Sequence, residues 1–301
     1  MRLNQQKDVA MRRRFQMIVM CAAVAVCVLG MAQTPAVQAR SLHAGPLYTS
    51  STEFPKVRVL VDVPPETAKA SLDPASFALQ GDNGTGAASP GTQVQTLAET
   101  GYGMAAVVML DVSGSMLGGP LNAIRAGLVK FASQVGLQDR AAIATVADET
   151  KWETNWNDSP DQVKAALAGL KSRGTLTRLW DGLLEVLGKY PETPIARRLI
   201  VISDGHDEGS RHTLGEVIAE AGKQHVVIDS IGMTRSDPKY LLNLAQLSTS
   251  TGGSHRAATS LPNLEKLVGD GIERYRNLPV VTFQAAGATA DGKSHPFLLT
   301  W

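Results

Sequence analysis

Between residues 104 and 275, short apolar runs alternate with segments of helical periodicity. Four runs are rich in Val and Ile, as buried parallel strands are: 105–110, 141–146, 199–202 and 226–228. The other segments carry apolar residues three or four positions apart, as one face of a helix does: Leu121, Ile124, Leu128, Phe131 and Val135; Leu179, Leu183, Val186 and Tyr190; Leu264, Val268, Ile272 and Tyr275. This alternation predicts an α/β fold with a doubly wound, mostly parallel, Rossmann-like sheet flanked by helices.

The regions on either side of this pattern predict strands. Residues 40–102 are interpreted as a small β-rich accessory module, in which 56–63 form a strand that Pro64-Pro65 ends and 76–80 form a weaker one. Residues 278–301 are predicted to form a C-terminal β hairpin. This hairpin either pairs with the strands of 56–80, which makes the α/β domain (103–277) an insert, or packs separately on that domain; the sequence leaves both open.

The N-terminal segment predicts export. Five Lys or Arg residues precede the apolar stretch 17–32, and Val37 and Ala39 occupy the two positions that a signal peptidase recognises. We therefore expect 1–39 to be a signal peptide, with a periplasmic or extracellular mature chain. The alternative is an uncleaved N-terminal anchor, which is the only membrane attachment that the sequence indicates.

The amino-acid composition excludes some classes of protein. The chain of 301 residues is 44% hydrophobic and 19% charged, enough to form a real core. Aromatic residues make up 5%, and without residues 1–39 the formal net charge falls from +1 to −3, so a nucleic-acid binder is not expected. Both cysteines, Cys21 and Cys27, lie in the N-terminal apolar stretch, which excludes a disulfide framework. Arg197 and Arg198, before a predicted strand, are expected to be solvated.

Oxygen-bearing side chains follow the predicted strands. Asp111, Ser113 and Ser115 come directly after 105–110, and Asp204 follows 199–202 at the same edge of the sheet, where open α/β sheets bind ligands. Thr177 stands at the entrance of the helix that starts near Leu179, where it is either a further ligand or an ordinary helix cap. Thr175 is the second choice for this ligand. Two carboxylates with several hydroxyls suit Mg²⁺, or alternatively Mn²⁺ or Ca²⁺.

Three motifs carry a family resemblance: Asp-x-Ser-Gly-Ser-Met from residue 111, Thr-x-Leu-Trp-Asp-Gly-Leu from 177, and Ile-Ser-Asp-Gly from 202. Together they resemble the von Willebrand factor type A (vWA) domain, of an exported bacterial type, over 104–275. The resemblance implies a metal-ion-dependent adhesion site (MIDAS). Ser113 and Ser115 would bind the metal directly, Asp111 and Asp204 directly or through water, and Thr177 when a ligand is bound. Where many members have Gly-Gly-Thr, this chain has Thr175-Leu176-Thr177.

The expected function is that of a metal-dependent protein-binding module, for adhesion or complex assembly in the cell envelope, without catalysis. The resemblance implies a protein partner that offers an Asp or Glu carboxylate to the metal. One alternative is a metal-dependent hydrolase that uses Asp111 or Ser113 as nucleophile and His206 as base. Another is a scaffold that has lost its metal. Asp111 is expected at a solvent-facing strand end, so that its loss would leave the protein folded.

Overall fold

The computed structural model describes residues 43–46, 56–62, 73–80, 91–191, 196–233, 237–284 and 298–300. All of them belong to one unit, 43–301. The predicted signal segment 1–39 lies outside the described residues. Within the described part, no helix combines the length and the apolar character needed to cross a membrane.

The elements follow one another along the chain in the predicted alternation. The strands are β1 (His43–Pro46), β2 (Lys56–Asp62), β3 (Ala78–Gln80), β4 (Gln93–Thr96), β5 (Met104–Asp111), β6 (Arg140–Val146), β7 (Thr150–Trp152), β8 (Ala196–Ser203), β9 (Val226–Gly232), β10 (His255–Ala257), β11 (Pro279–Gln284) and β12 (Leu298–Thr300). The α-helices are α1 (Gly119–Gln134), α2 (Pro160–Gly169), α3 (Leu179–Leu187), α4 (Leu214–Lys223), α5 (Leu241–Ser250), α6 (Leu261–Gly269) and α7 (Gly271–Arg276).

The central sheet has the order β10-β9-β8-β5-β6-β7, and its pairs are parallel except β6 with β7. Helices cover both faces: α1, α6 and α7 contribute to the apolar core on one face, and α3, α4 and α5 to the core on the other. The predicted α/β fold is therefore confirmed. β5 is buried along its whole length, because it lies inside the sheet with helices on both sides.

The accessory strands form two further sheets. One is antiparallel, in the order β1-β2-β11-β4, and the other pairs β12 with β3. The two strands predicted as a C-terminal hairpin thus pair with different partners instead of with each other. β11 is buried from Pro279 to Phe283 and has a neighbouring strand on each edge, β2 on one and β4 on the other. The α/β region lies in sequence between β4 and β11.

A buried polar cluster joins the accessory sheet to the central one. Arg198 of β8 places Nη1 3.2 Å from Asp229 Oδ2 and 3.4 Å from Asp62 Oδ2, at the end of β2. Arg274 of α7 bonds Asp62 at 3.0 Å, and the Tyr275 hydroxyl donates to Asp229 at 2.8 Å. The expectation that Arg198 is solvated is wrong, since the residue is 1% exposed. Two carboxylates compensate its buried charge.

Candidate metal site

Asp111 is the last residue of β5 and is completely buried. Its Oδ1 accepts a hydrogen bond from the Ser113 backbone N–H and its Oδ2 accepts one from the Ser203 hydroxyl, both at 2.9 Å. The expectation of a solvent-facing position is wrong, for a simple reason. β5 lies between β6 and β8, and its pairing with β6 continues past Asp111 through a hydrogen bond from the Val112 N–H to the Val146 carbonyl. The turn that follows then folds over the carboxylate.

The turn after β5 brings two hydroxyls together. Ser113 precedes a short 3-10 helix, Gly114–Met116, whose position is fixed by the buried Met116 side chain. Ser113 Oγ and Ser115 Oγ are 3.2 Å apart, with Ser113 6% exposed and Ser115 open to solvent. The turn thus presents a pair of hard oxygen ligands at the surface, directly beside the buried Asp111.

Asp204 comes to the same edge from the end of β8. It is 6% exposed, and its Oδ1 accepts the His206 backbone N–H at 3.0 Å. The chain turns sharply at Gly205, where φ is +80° and an added Cβ would lie 2.3 Å from the Tyr240 carbonyl oxygen. Only glycine fits this turn, so the turn fixes the direction in which Asp204 leaves the strand.

The loop before α3 buries Thr177, which is 3% exposed, and leaves Thr175 exposed. The Thr177 carbonyl accepts the Glu208 N–H at 2.9 Å, which connects this loop to the one after β8. On the other side, the Asp148 carboxylate accepts the backbone N–H groups of Thr175 and Leu176, with distances of 2.8 to 3.2 Å. Thr177 therefore lies between two anchored loop segments.

The electrostatics of Asp111 and Asp204 suit a divalent cation. Burial raises the pKa of Asp111 to about 6, and the charge of Asp204 contributes to the rise, against hydrogen bonds from Ser113 and Ser203 that lower it. In the described part of the chain, neither carboxylate forms an ion pair with Lys, Arg or His, although a buried charge normally requires one. A bound cation would supply the missing compensation, so the residues fit the metal.

The donor set also indicates the kind of cation. Among the described residues there is no cluster of three or more His, Cys, Asp or Glu side chains that could hold a metal. The candidate site instead combines two carboxylates with neutral hydroxyls, which suits a hard ion that retains some of its waters. Such a set leaves part of the coordination to an outside group.

Three residues that hold the site in place were not among those predicted from the sequence. Ser203 donates to Asp111 and accepts the Gly205 N–H at 2.9 Å. Asp148 anchors the loop before Thr177, and Asp207 accepts the Leu179 N–H at 2.7 Å, at the first turn of α3. The position of Ser203 directly before Asp204 was the available signal; Asp148 and Asp207 gave none, since their partners are 27 or 28 residues away.

Comparison with known proteins identifies the family. A family model described as the von Willebrand factor type A domain matches residues 106–269, more than half of the chain. The chain belongs to this family. Domains of this type are typically protein-interaction modules without catalytic activity, and many bind a divalent metal. No curated protein sequence matches the chain.

Solved structures are similar to this chain, and those with a TM-score of 0.50 or more share the fold of its vWA domain. Proximal thread matrix protein 1 from the mussel byssus, solved with a zinc-occupied MIDAS motif, is 16% identical with a TM-score of 0.53, over 64% of this chain and 50% of that one. A von Willebrand factor type A protein from Catenulispora acidiphila is 14% identical with a TM-score of 0.50, over 76% and 48%. An aerotolerance-related membrane protein from Bacteroides fragilis is 13% identical with a TM-score of 0.47, over 57% and 99%.

Proposed function

We propose that this vWA domain is a metal-dependent protein-binding module, for adhesion or complex assembly, that recognises a partner through an acidic side chain. The observation that carries the proposal is the buried Asp111 carboxylate. It lies beside Asp204 and within one turn of Ser113 and Ser115, and no described cationic residue pairs with it. This arrangement supports the binding of a divalent cation at the end of β5.

The proposed ligands are Asp111, Ser113, Ser115, Asp204 and Thr177. Of the two threonines, Thr177 is favoured because it is buried, whereas Thr175 is exposed and points its backbone N–H at Asp148. The bound Mg²⁺, or Mn²⁺ or Ca²⁺ in its place, would supply a Lewis-acidic centre that accepts an oxygen ligand from outside. Since the protein contributes only two carboxylates, a partner Asp or Glu completes both the charge and the coordination.

The hydrolase alternative requires a base next to the nucleophile. The Ser113 hydroxyl has Ser115 Oγ as its neighbour, and in the described part of the chain no histidine hydrogen-bonds it. His206 is engaged elsewhere: its ring lies 4.1 Å from that of Tyr240, and its Nδ1 lies 3.4 Å from Glu208 Oε1. We therefore favour binding over hydrolysis at this site.

We further propose that the protein acts in the cell envelope. The basic, apolar and small-residue order of 1–39 supports export, either with cleavage after Ala39 or with an uncleaved anchor. The mature chain would then include the vWA domain, 103–277, with the accessory strands contributed by 40–102 and 278–301.

The decisive experiment uses the mature chain, residues 40–301, immobilised and exposed to solubilised native envelope with Mg²⁺ or with EDTA. We expect isothermal titration to detect Mg²⁺ or Mn²⁺ binding, and a partner to be captured in a metal-dependent way. Both are lost in Ser113→Ala but kept in Ser133→Ala, an exposed serine of α1. Absence of metal binding by the wild type refutes the proposal. Hydrolysis of p-nitrophenyl phosphate or acetate that disappears in Ser113→Ala favours the hydrolase.

A further inference from the structure

The edge of the sheet that carries the candidate metal site also carries exposed apolar side chains. Large hydrophobic side chains that remain exposed in the described part are Leu117, Val129, Leu137, Leu176 and Leu242. Leu117, 59% exposed, follows the 3-10 helix that contains Ser115, and Leu176, 39% exposed, directly precedes Thr177. Exposed apolar groups concentrated beside a polar site mark an interaction surface more often than isolated ones do.

Residues 176–178 differ in exposure. Thr177, a proposed ligand, is buried, whereas Leu176 is exposed and Arg178 is half-buried. Leu176 and Arg178, on either side of it, both lie against Gly209, in the loop after β8: an added Cβ there would be 3.4 Å from Arg178 Cγ and 3.6 Å from Leu176 Cδ1. Leu176 and Arg178 thus pack on the loop that follows Asp204, and both adjoin Thr177 in the chain, so they lie beside the candidate site.

Arg178 carries a charge that the described residues do not pair. Its Nε is buried without a hydrogen-bond partner, and its guanidinium forms no ion pair with any described carboxylate. The nearby acid Glu208 lies 3.4 Å from His206 instead. A guanidinium presents its N–H groups in a fixed fork that fits a carboxylate.

We infer that the rim formed by Leu117, Leu176 and Arg178 selects a partner segment in which the metal-binding acidic residue is accompanied by a second acidic residue and an aliphatic one. The inference rests on the proposed function, because the first carboxylate requires the metal. The second carboxylate pairs with Arg178, and the aliphatic side chain covers Leu117 and Leu176. Specificity thus comes from the rim, since any carboxylate can fill the coordination position.

The test uses blocked hexapeptides as probes for the mature chain saturated with Mn²⁺. The parent probe is Gly-Leu-Asp-Gly-Glu-Gly, and three variants replace its Glu with Gln, its Leu with Ser or its Asp with Asn. Affinities are measured by fluorescence anisotropy of labelled peptides, and Mn²⁺ binding is measured in parallel by calorimetry. We expect the parent to bind about fivefold tighter than the Gln variant, in the range of an accessible ion pair. The Asn variant should bind weakest.

Matched control variants distinguish the effect of the rim residues on peptide preference from effects that any surface substitution would have. Arg178→Ala should abolish the preference for Glu over Gln, whereas Arg140→Ala, at the start of β6 and hence at the opposite edge of the sheet, should keep it. Leu176→Ser should abolish the preference for Leu over Ser, whereas Leu137→Ser, a fully exposed leucine before β6, should keep it. All four variants should bind Mn²⁺ as the wild type does.

The outcomes distinguish the two proposals. If the wild type does not bind Mn²⁺, the proposed function and the inference both fail. If Mn²⁺ binds but no peptide does, or if the preferences are the same in Arg178→Ala and Leu176→Ser as in their controls, the inference fails and the metal site stands.

Discussion

Replacing Asp111 with Asn should make the metal-free protein more stable while abolishing its response to metal. The substitution removes the negative charge but keeps the shape, so the Ser113 N–H can still donate to the side-chain oxygen. In the wild type, this carboxylate is fully buried and burial raises its pKa from 3.8 to about 6. A folded-state pKa above the unfolded one means that ionisation opposes folding. This penalty is absent below about pH 4 and complete above about pH 6.

The size of the effect follows from the pKa shift. At about 1.4 kcal/mol for each pKa unit, a shift of about two units makes the ionised form cost roughly 3 kcal/mol at pH 8. Relative to the protonated carboxyl, Asn loses an acceptor for the Ser203 hydroxyl, and such a neutral hydrogen bond is worth about 1 kcal/mol net. The variant should therefore gain about 2 kcal/mol in EDTA, or about 4–8 °C in Tm for a domain of this size. Saturating Mn²⁺, at about 100 times Kd, should stabilise the wild type by about 2.7 kcal/mol.

The assay is thermal unfolding at pH 8 in EDTA and in Mn²⁺, followed by circular dichroism. The control is Asp229→Asn, since Asp229 is also fully buried but is paired with Arg198. Its pKa stays below the ordinary value despite the burial, because Arg198 and Arg274 favour the charge. That variant should lose about 3 kcal/mol or more and keep its Mn²⁺ response. An Asp111→Asn protein that is less stable than the wild type in EDTA, or that keeps the Mn²⁺ shift, would refute the reasoning.

Three further results are expected. Ser203→Ala should weaken Mn²⁺ binding about tenfold in calorimetry, because the hydroxyl orients Asp111, and unchanged affinity would contradict this. Gly205→Ala should lower the free energy of unfolding, measured in urea, by about 1–3 kcal/mol more than Gly101→Ala does. Both glycines have positive φ, but only at Gly205 would an added Cβ meet backbone atoms, so equal effects would argue against this close contact. Leu60→Ala should lower the free energy of unfolding, measured in urea, by about 2–4 kcal/mol, because this β2 residue lies in the apolar core shared with β5. A decrease under about 1 kcal/mol would exclude that packing.

The α/β fold was predictable because its signals are local. The Val- and Ile-rich runs became β5, β6, β8 and β9, and the helical spacing of Leu121 to Phe131 became the buried face of α1. Pairing between the two flanks of the α/β region was one of two alternatives that the sequence left open, because the register that places Val280 opposite Leu60 joins residues far apart in the chain. No local pattern encodes which distant strand will be the neighbour.

The candidate ligands were predictable to the extent that motifs at strand ends locate them. Asp111, Ser113 and Asp204 follow directly from the order of strand and turn. The burial of Asp111 was not predictable, since a terminal strand residue followed by Ser and Gly has the pattern of an exposed turn. The burial of Arg198 was not predictable for a different reason, because its partners Asp229 and Asp62 lie 31 and 136 residues away.

The contrast between Asp111 and Asp229 is the strongest physical argument for a cation. Both are completely buried in the same sheet. At Asp229 the fold itself supplies two guanidinium groups and the Tyr275 hydroxyl, so this sequence is able to compensate a buried carboxylate from within. At Asp111 the described residues offer only neutral groups, the hydroxyls of Ser113 and Ser203 and the Ser113 N–H, and a second carboxylate lies nearby. No described cationic residue compensates Asp111, and this contrast supports the proposal that a divalent ion, which such oxygen ligands favour, does so.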